Sequence, residues 1–259
     1  MNNRRITFLA LLAAVAMAAM APVASAKEVL RVAISTGYPP FNVLNADGSF
    51  GGFDVDYANL LCERMNMTCE FIDNEWDGII PGLLAKKYDV IIASMGITEE
   101  RKKQITFSNP YYQTPSSVIA RKESGLKPDA EGLAGKAIGV QRATGHECYI
   151  QREWPKADMR SYPTSDEAYL DLVSGRIDAV LVDSIPGQDW LKAPANAGFA
   201  VIGADIYDKP CFGEGTGVGM RQDEPELLAA INAAIQKTRE DGSYVALSNK
   251  YFGRDIYGQ

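Results

Sequence analysis

The stretch Trp76–Tyr112, WDGIIPGLLAKKYDVIIASMGITEERKKQITFSNPYY, decides the fold. It reads as turn, short helix, strand, loop and short helix. Val90-Ile91-Ile92 is apolar without alternation, as in a strand buried on both faces. The run ends in Ala93, Ser94 and Gly96, small residues that let a ligand approach the backbone. Arg101 follows within Thr98-Glu99-Glu100-Arg101 and offers a planar two-pronged donor for a carboxylate. The plain alternative is a strand followed by a solvated charged helix.

Strands and helices alternate outward from this stretch. Val29–Ile34, Cys69–Ile72 and Tyr88–Ile92 read as strands, with helices over Asp54–Met65 and Gly78–Lys86. A second series has strands at Ala137–Val140, Met159–Tyr162 and Asp178–Val182. Its helices are Thr144–Glu153, a helix capped by Thr164 or Ser165 and stopped by Gly175, and Ser184–Leu191. Gly213–Met220 reads as a glycine-rich strand, and helices Glu224–Arg239 and Ser243–Tyr251 close the chain. This βαβ order predicts largely parallel sheets with helices on both faces, in two similar lobes. Tyr111–Ser117 and Asp208–Glu214 are the candidate crossings between them.

Residues 1–26 read as a secretory signal peptide. Arg4 and Arg5 form its basic region, Ile6–Ala21 its apolar run, and Ala24-Ser25-Ala26 its cleavage site. The apolar run is shorter than the ~20 residues of a spanning helix. Phe8, three residues past Arg5, favours the general export route over the twin-arginine one, and no Cys marks a lipid anchor. The rest of the chain is long enough for two lobes, since one domain takes ~100–150 residues. The leader carries no acid, so the remainder is two units more negative than the −7 of the whole chain. That argues against nucleic acid and anionic lipid as partners. Four cysteines in an exported chain permit disulfides. Cys62 and Cys69 flank one helix–strand corner and can staple it, leaving Cys148 and Cys211 to pair or stay free. A single His makes a metal site an unpromising reading, and no cofactor is expected.

In open α/β sheets ligands bind beyond the carboxyl ends of the strands. Three such ends carry suitable groups: Ser94, Gly96 and Arg101; the helix start at Thr144-Gly145; and Asp183, at the tip of Ala-Val-Leu-Val. A helix N-terminus and Arg101 suit a carboxylate, and Asp183 suits an ammonium. Together they match an α-amino acid. Thr144 and Asp183 can equally be plain helix caps. Tyr38 and Trp76 can stack on a ligand side chain, although either alone is more often core. His146 is considered as a general base, but no Ser or Cys partner can be argued for it from sequence.

The chain resembles the periplasmic solute-binding proteins of polar amino acid ABC transporters, family 3, with the histidine and lysine–arginine–ornithine binders. The resemblance spans nearly all of Glu28–Gly258. It rests on YPPF from Tyr38, GGFDVDYANLLCERMN from Gly51, WDGIIPGL from Trp76, SMGITEER from Ser94, GVQRATG from Gly139, GRIDAVLVD from Gly175 and GEGTGVGMR from Gly213. It implies a periplasmic binding protein type II fold, with two Rossmann-like lobes joined by two hinge strands. Lobe 1 would be 27–113 plus 212–259, and lobe 2 would be 114–211. Arg101 would hold the α-carboxylate with the N–H groups of Gly96 and Gly145. Asp183 and Ser94 would hold the α-amino group, and Tyr38 and Trp76 would sandwich the side chain. Cys62–Cys69 matches the disulfide of the histidine-binding branch.

Three residues depart from the cationic-amino-acid binders: Ser35 stands where they carry an acid, Ala93 replaces a serine and Gly145 a threonine. Trp76 is shared with opine-binding relatives. The resemblance therefore implies a periplasmic, monomeric, non-enzymatic receptor for a polar, cationic L-amino acid, delivering it to a membrane permease. Opine or glutamine-type ligands, a dehydratase-like enzyme on the same fold and a sensory module are the alternatives.

Overall fold

The computed structural model describes residues 27–258; the signal peptide expected over 1–26 lies outside the described residues. In chain order the elements are β1 (Val29–Ile34), β2 (Val43–Leu44), β3 (Phe50–Gly51), α1 (Phe53–Arg64) and β4 (Thr68–Asp73). A 3-10 turn at Trp76–Gly78 runs into α2 (Ile79–Leu84), followed by β5 (Val90–Ile91), α3 (Glu99–Lys102) and β6 (Thr106–Phe107). Next come β7 (Ser116–Arg121), β8 (Ala137–Gln141), α4 (Gly145–Glu153), β9 (Asp158–Tyr162), α5 (Ser165–Ser174), β10 (Ala179–Asp183) and α6 (Ser184–Leu191). The chain ends with β11 (Phe199–Ile206), α7 (Lys209–Phe212), β12 (Gly219–Met220), α8 (Pro225–Glu240) and α9 (Ser243–Phe252).

Two five-stranded sheets carry the architecture, ordered β4-β1-β5-β12-β6 and β11-β7-β10-β8-β9. Read from the β4 and β9 edges, they follow one plan. Three parallel strands lie side by side, then one antiparallel strand, then an outer strand. The antiparallel members are β12 and β7. Each is the first strand laid down after the chain crosses from the other sheet, so the expected largely parallel sheets are mixed at one position each. The two crossing segments are joined by hydrogen bonds: Tyr111 N–H donates to the Thr216 carbonyl and Thr216 N–H to the Tyr112 carbonyl, both at 2.8 Å.

The unbroken apolar runs are explained by burial on both faces. In β10, Ala179 and Leu181 enter one apolar cluster and Val180 and Val182 the opposite one. In β5 and its extension, Val90 and Ile92 face one cluster and Ile91 the other. Each strand therefore has two hydrophobic faces, and both sheets are covered by helices. The core beside α1 is aromatic: Phe41, Phe53, Tyr57, Tyr111 and Tyr244 are each 1 % exposed or less.

Three expectations are corrected. The helix expected over Gly78–Lys86 ends at Leu84, and Lys86 turns to φ 60°. The strand expected over Gly213–Met220 is reduced to Gly219–Met220, because Gly213 and Gly215 take φ 85° and 105° and break the ladder. Strands β7 and β11 were not expected at all.

Candidate functional site

A cavity of about 500 Å³ opens between the two sheets, at the carboxyl ends of β1, β5, β8 and β10. All eight residues expected from the sequence line it: Tyr38, Trp76, Ser94, Gly96, Arg101, Thr144, Gly145 and Asp183. A volume of this size suits a small molecule.

The first sheet supplies a cation, a hydroxyl and aromatic rings. Arg101 lies on α3, which Thr98 caps by accepting the Arg101 N–H at 3.3 Å. Its Nη1 donates to the Gly96 carbonyl (2.9 Å) and its Nη2 to the Ala143 carbonyl (3.1 Å). Burial lowers its pKa to about 10, opposed by the nearby Asp183 charge, so it is a cation at neutral pH. The guanidinium sits 5.1 Å above the Trp76 ring, and Trp76 Nε1 donates to the same Ala143 carbonyl at 3.2 Å. Ser94 holds φ 54°, an uncommon value for a side chain with Cβ. Its hydroxyl donates to Asp54 at 2.8 Å. The Ser94 oxygen therefore keeps its lone pairs for a donor in the cavity.

The second sheet supplies an anion and a helix start. Asp183 occupies the cap position of α6 but makes no capping bond with its side chain. Its carboxylate instead receives the Tyr38 hydroxyl, and Ser116 Oγ at 3.3 Å. His146 Nε2 lies 3.4 Å away. Burial pushes the Asp183 pKa up, but His146, Tyr38 and Ser116 together outweigh it, and the net shift is downward. Thr144 likewise holds the cap position of α4 without capping it: its hydroxyl donates to the Gln141 carbonyl at 2.6 Å. The first N–H groups of α4 are thus not taken by the Thr144 side chain. Gly145 is where a side chain would collide with the Cys211 carbonyl. A disulfide between Cys148 and Cys211 holds α7 against α4 at this point, and a second joins Cys62 and Cys69.

Several neighbours were missed from sequence. Asp54 is fully buried and accepts from Asn42 (2.8 Å), Ser94 and Tyr111 (2.9 Å). It sits in the first turn of α1, where an acid normally serves the helix dipole and is exposed; only its flanks, Phe53 and Val55, hint at burial. Ser116 lies 3.0 Å from His146 Nε2, a partner that no sequence spacing predicts. Gln141, Thr164 and Ser165 line the cavity with neutral polar groups.

Comparison with known proteins gives a consistent answer. The sequence model of the bacterial extracellular solute-binding proteins, family 3, matches residues 30–254. An L-arginine-binding protein of Pseudomonas aeruginosa is 40% identical over 254 residues, covering 96% of this chain and 98% of the relative. A lysine/arginine/ornithine-binding periplasmic protein of Escherichia coli is 40% identical over 238 residues, covering 91% and 92%. Among solved structures, an arginine-specific periplasmic binding protein of Salmonella typhimurium superposes with a TM-score of 0.81 at 33% identity, covering 87% of this chain and 99% of that one.

Proposed function

This chain belongs to the bacterial extracellular solute-binding proteins, family 3, and from that premise we propose that it is the periplasmic substrate-binding subunit of an ABC importer. Its cargo is a polar, cationic L-amino acid of the arginine, lysine, ornithine or histidine type, as the names of its relatives suggest. The observation that carries this reading is a matched pair of charges across the cavity. Arg101 comes from the first sheet's side and Asp183 from the second's. A zwitterion satisfies both, its carboxylate on Arg101 with the N–H groups of Gly96 and Gly145, its ammonium on Asp183 and Ser94. Tyr38 and Trp76 flank the side chain.

Residues 27–113 with 212–259 form one lobe in this reading, and 114–211 the other. Ligand favours the closed arrangement because it binds both at once, and the permease reads the closed shape. Binding rather than catalysis is supported by the geometry at His146. Ser116 and Asp183 both approach Nε2, while Nδ1 faces the Thr144 hydroxyl. A serine relay needs the carboxylate on the opposite ring nitrogen from the nucleophile. Calorimetric titration of residues 27–259, unfolded and refolded to strip bound ligand, against the L-amino acids and opines tests the proposal. One-to-one binding of the cationic group is expected, and binding of none of them would overturn it.

A further inference from the structure

The cavity is lined by a few charged side chains and a larger number of neutral polar ones. Five residues of fixed charge line it: Arg101, Asp183, Asp208, Lys209 and Glu214. Three are committed to other partners. Asp208 pairs with Arg152 and accepts the Cys211 N–H at 2.9 Å. Glu214 pairs with Lys209 at 2.5 Å and Lys102 at 3.3 Å. Among the described residues, that leaves one lining cation and one lining anion, Arg101 and Asp183. On the function proposed above, on which this step rests, both are taken by the α-carboxylate and α-ammonium.

Much of the rest of the lining is neutral and polar, Ser35, Thr36, Gln141, Thr164 and Ser165 among it. Asp73 lies behind Thr36 and outside the lining, where it accepts the Thr36 N–H at 3.0 Å and hydroxyl at 2.9 Å. Arg101 already covers a face of Trp76, so a second cation there meets like charge. The neutral groups offer both hydrogen-bonding senses. Gln141 donates its amide to the Pro163 carbonyl at 3.2 Å, leaving its oxygen to accept. Thr164 Oγ accepts the Glu167 N–H at 3.2 Å, leaving its proton to donate.

We infer that the side-chain end of this cavity selects a planar hydrogen-bonding head irrespective of its charge, so an α-amino acid ending in a neutral ureido group is a ligand on a par with arginine. Enclosing an ammonium or guanidinium costs desolvation that no carboxylate here returns. The compact, strongly hydrated ammonium of lysine loses most.

Titrating the unaltered mature protein with L-arginine, L-citrulline and L-lysine decides the matter without a variant that might misfold. Citrulline is expected within about tenfold of arginine, a gap of ~1.4 kcal/mol, with lysine weaker than both. Arginine bound more than tenfold tighter than citrulline, or lysine bound as tightly as arginine, would overturn the inference while leaving the cargo proposal standing. Binding of none of the three would also overturn this inference, whereas the cargo proposal would fall only if ornithine and histidine failed to bind as well.

Discussion

The two sheets share one strand order, yet each sets a carboxylate beside the cavity and treats it in the opposite way. Asp54, on the first sheet's side, is pushed up to about 6 by burial, which the donors Asn42, Ser94 and Tyr111 only partly offset. Asp183, on the second sheet's side, keeps 32 % of its side chain exposed and is held below the usual carboxylate range. Both receive hydroxyl donors. Two things differ: Asp183 keeps part of its surface open and has the His146 imidazole beside it, whereas Asp54 is fully buried among hydroxyl and amide donors. Burial sets the direction for an isolated acid, and a cationic or donating neighbour reverses it. Asp183 thereby stays ionised, as the ammonium partner proposed above requires, while Asp54 lies behind Ser94 and accepts its hydroxyl.

The comparison breaks most visibly at Asp183. Asp183→Ala should weaken amino acid binding by about 30-fold to several thousandfold, since truncating one partner of a hydrogen-bonded charge pair costs about 2–5 kcal/mol. The circular dichroism spectrum should stay unchanged, and affinity within twofold of the parent would refute the assignment.

A second difference between the halves lies in their disulfides. Cys62–Cys69 spans 7 residues of sequence and Cys148–Cys211 spans 63. Chain entropy assigns about 2–3 kcal/mol to the short loop and about 4 kcal/mol to the long one. Denaturant titration should therefore find the Cys148→Ser, Cys211→Ser double variant less stable than the Cys62→Ser, Cys69→Ser one. The reverse order would show that chain entropy does not govern here.

The smallest effect sharpens the contrast between the two acids. Asp54 has a folded-state pKa above its unfolded one, so the native state takes up the proton first. Its contribution to stability grows as pH falls from 7 through about 6. Asp183, shifted down, contributes stability that is lost only as pH falls below the ordinary carboxylate range. Relative to Asp54→Asn, the parent should gain about 1 kcal/mol between pH 7 and pH 5, read from urea midpoints. A flat difference across that window would place the titration elsewhere.

Much of this was legible in the residues. Ala179–Val182 announced a doubly buried strand, and Asp183 at its tip announced the anion, because the apolar run and the sudden charge are both local. Helices α5 and α6 ended where Thr164, Gly175 and Ser184 said they would. Strand β7 was hidden because Pro115, Ser116 and Ser117 read as a turn, and its apolar core is only Val118–Ala120. Strand β11 was hidden by Gly203 and Asp205, which mimic a loop. Within the site, the residues expected at each strand end, Ser94, Gly96, Arg101, Thr144, Gly145 and Asp183, all line the cavity. The Asp54–Ser94 and Ser116–His146 contacts were not legible, since each joins residues at least 30 positions apart. The pairing of Cys148 with Cys211, left open by the sequence, explains the glycine at 145: the bond presses the Cys211 backbone where a threonine side chain would stand.

That bond also fixes the course of the return segment. With Cys211 tethered to α4, the chain through α7 is held on the second sheet's side. Just beyond, Gly213 and Gly215 take φ of 85° and 105°, values few other residues accept. The change of allegiance from one sheet to the other is thus pressed into a few residues between a sulfur tether and the Tyr112–Thr216 bridge.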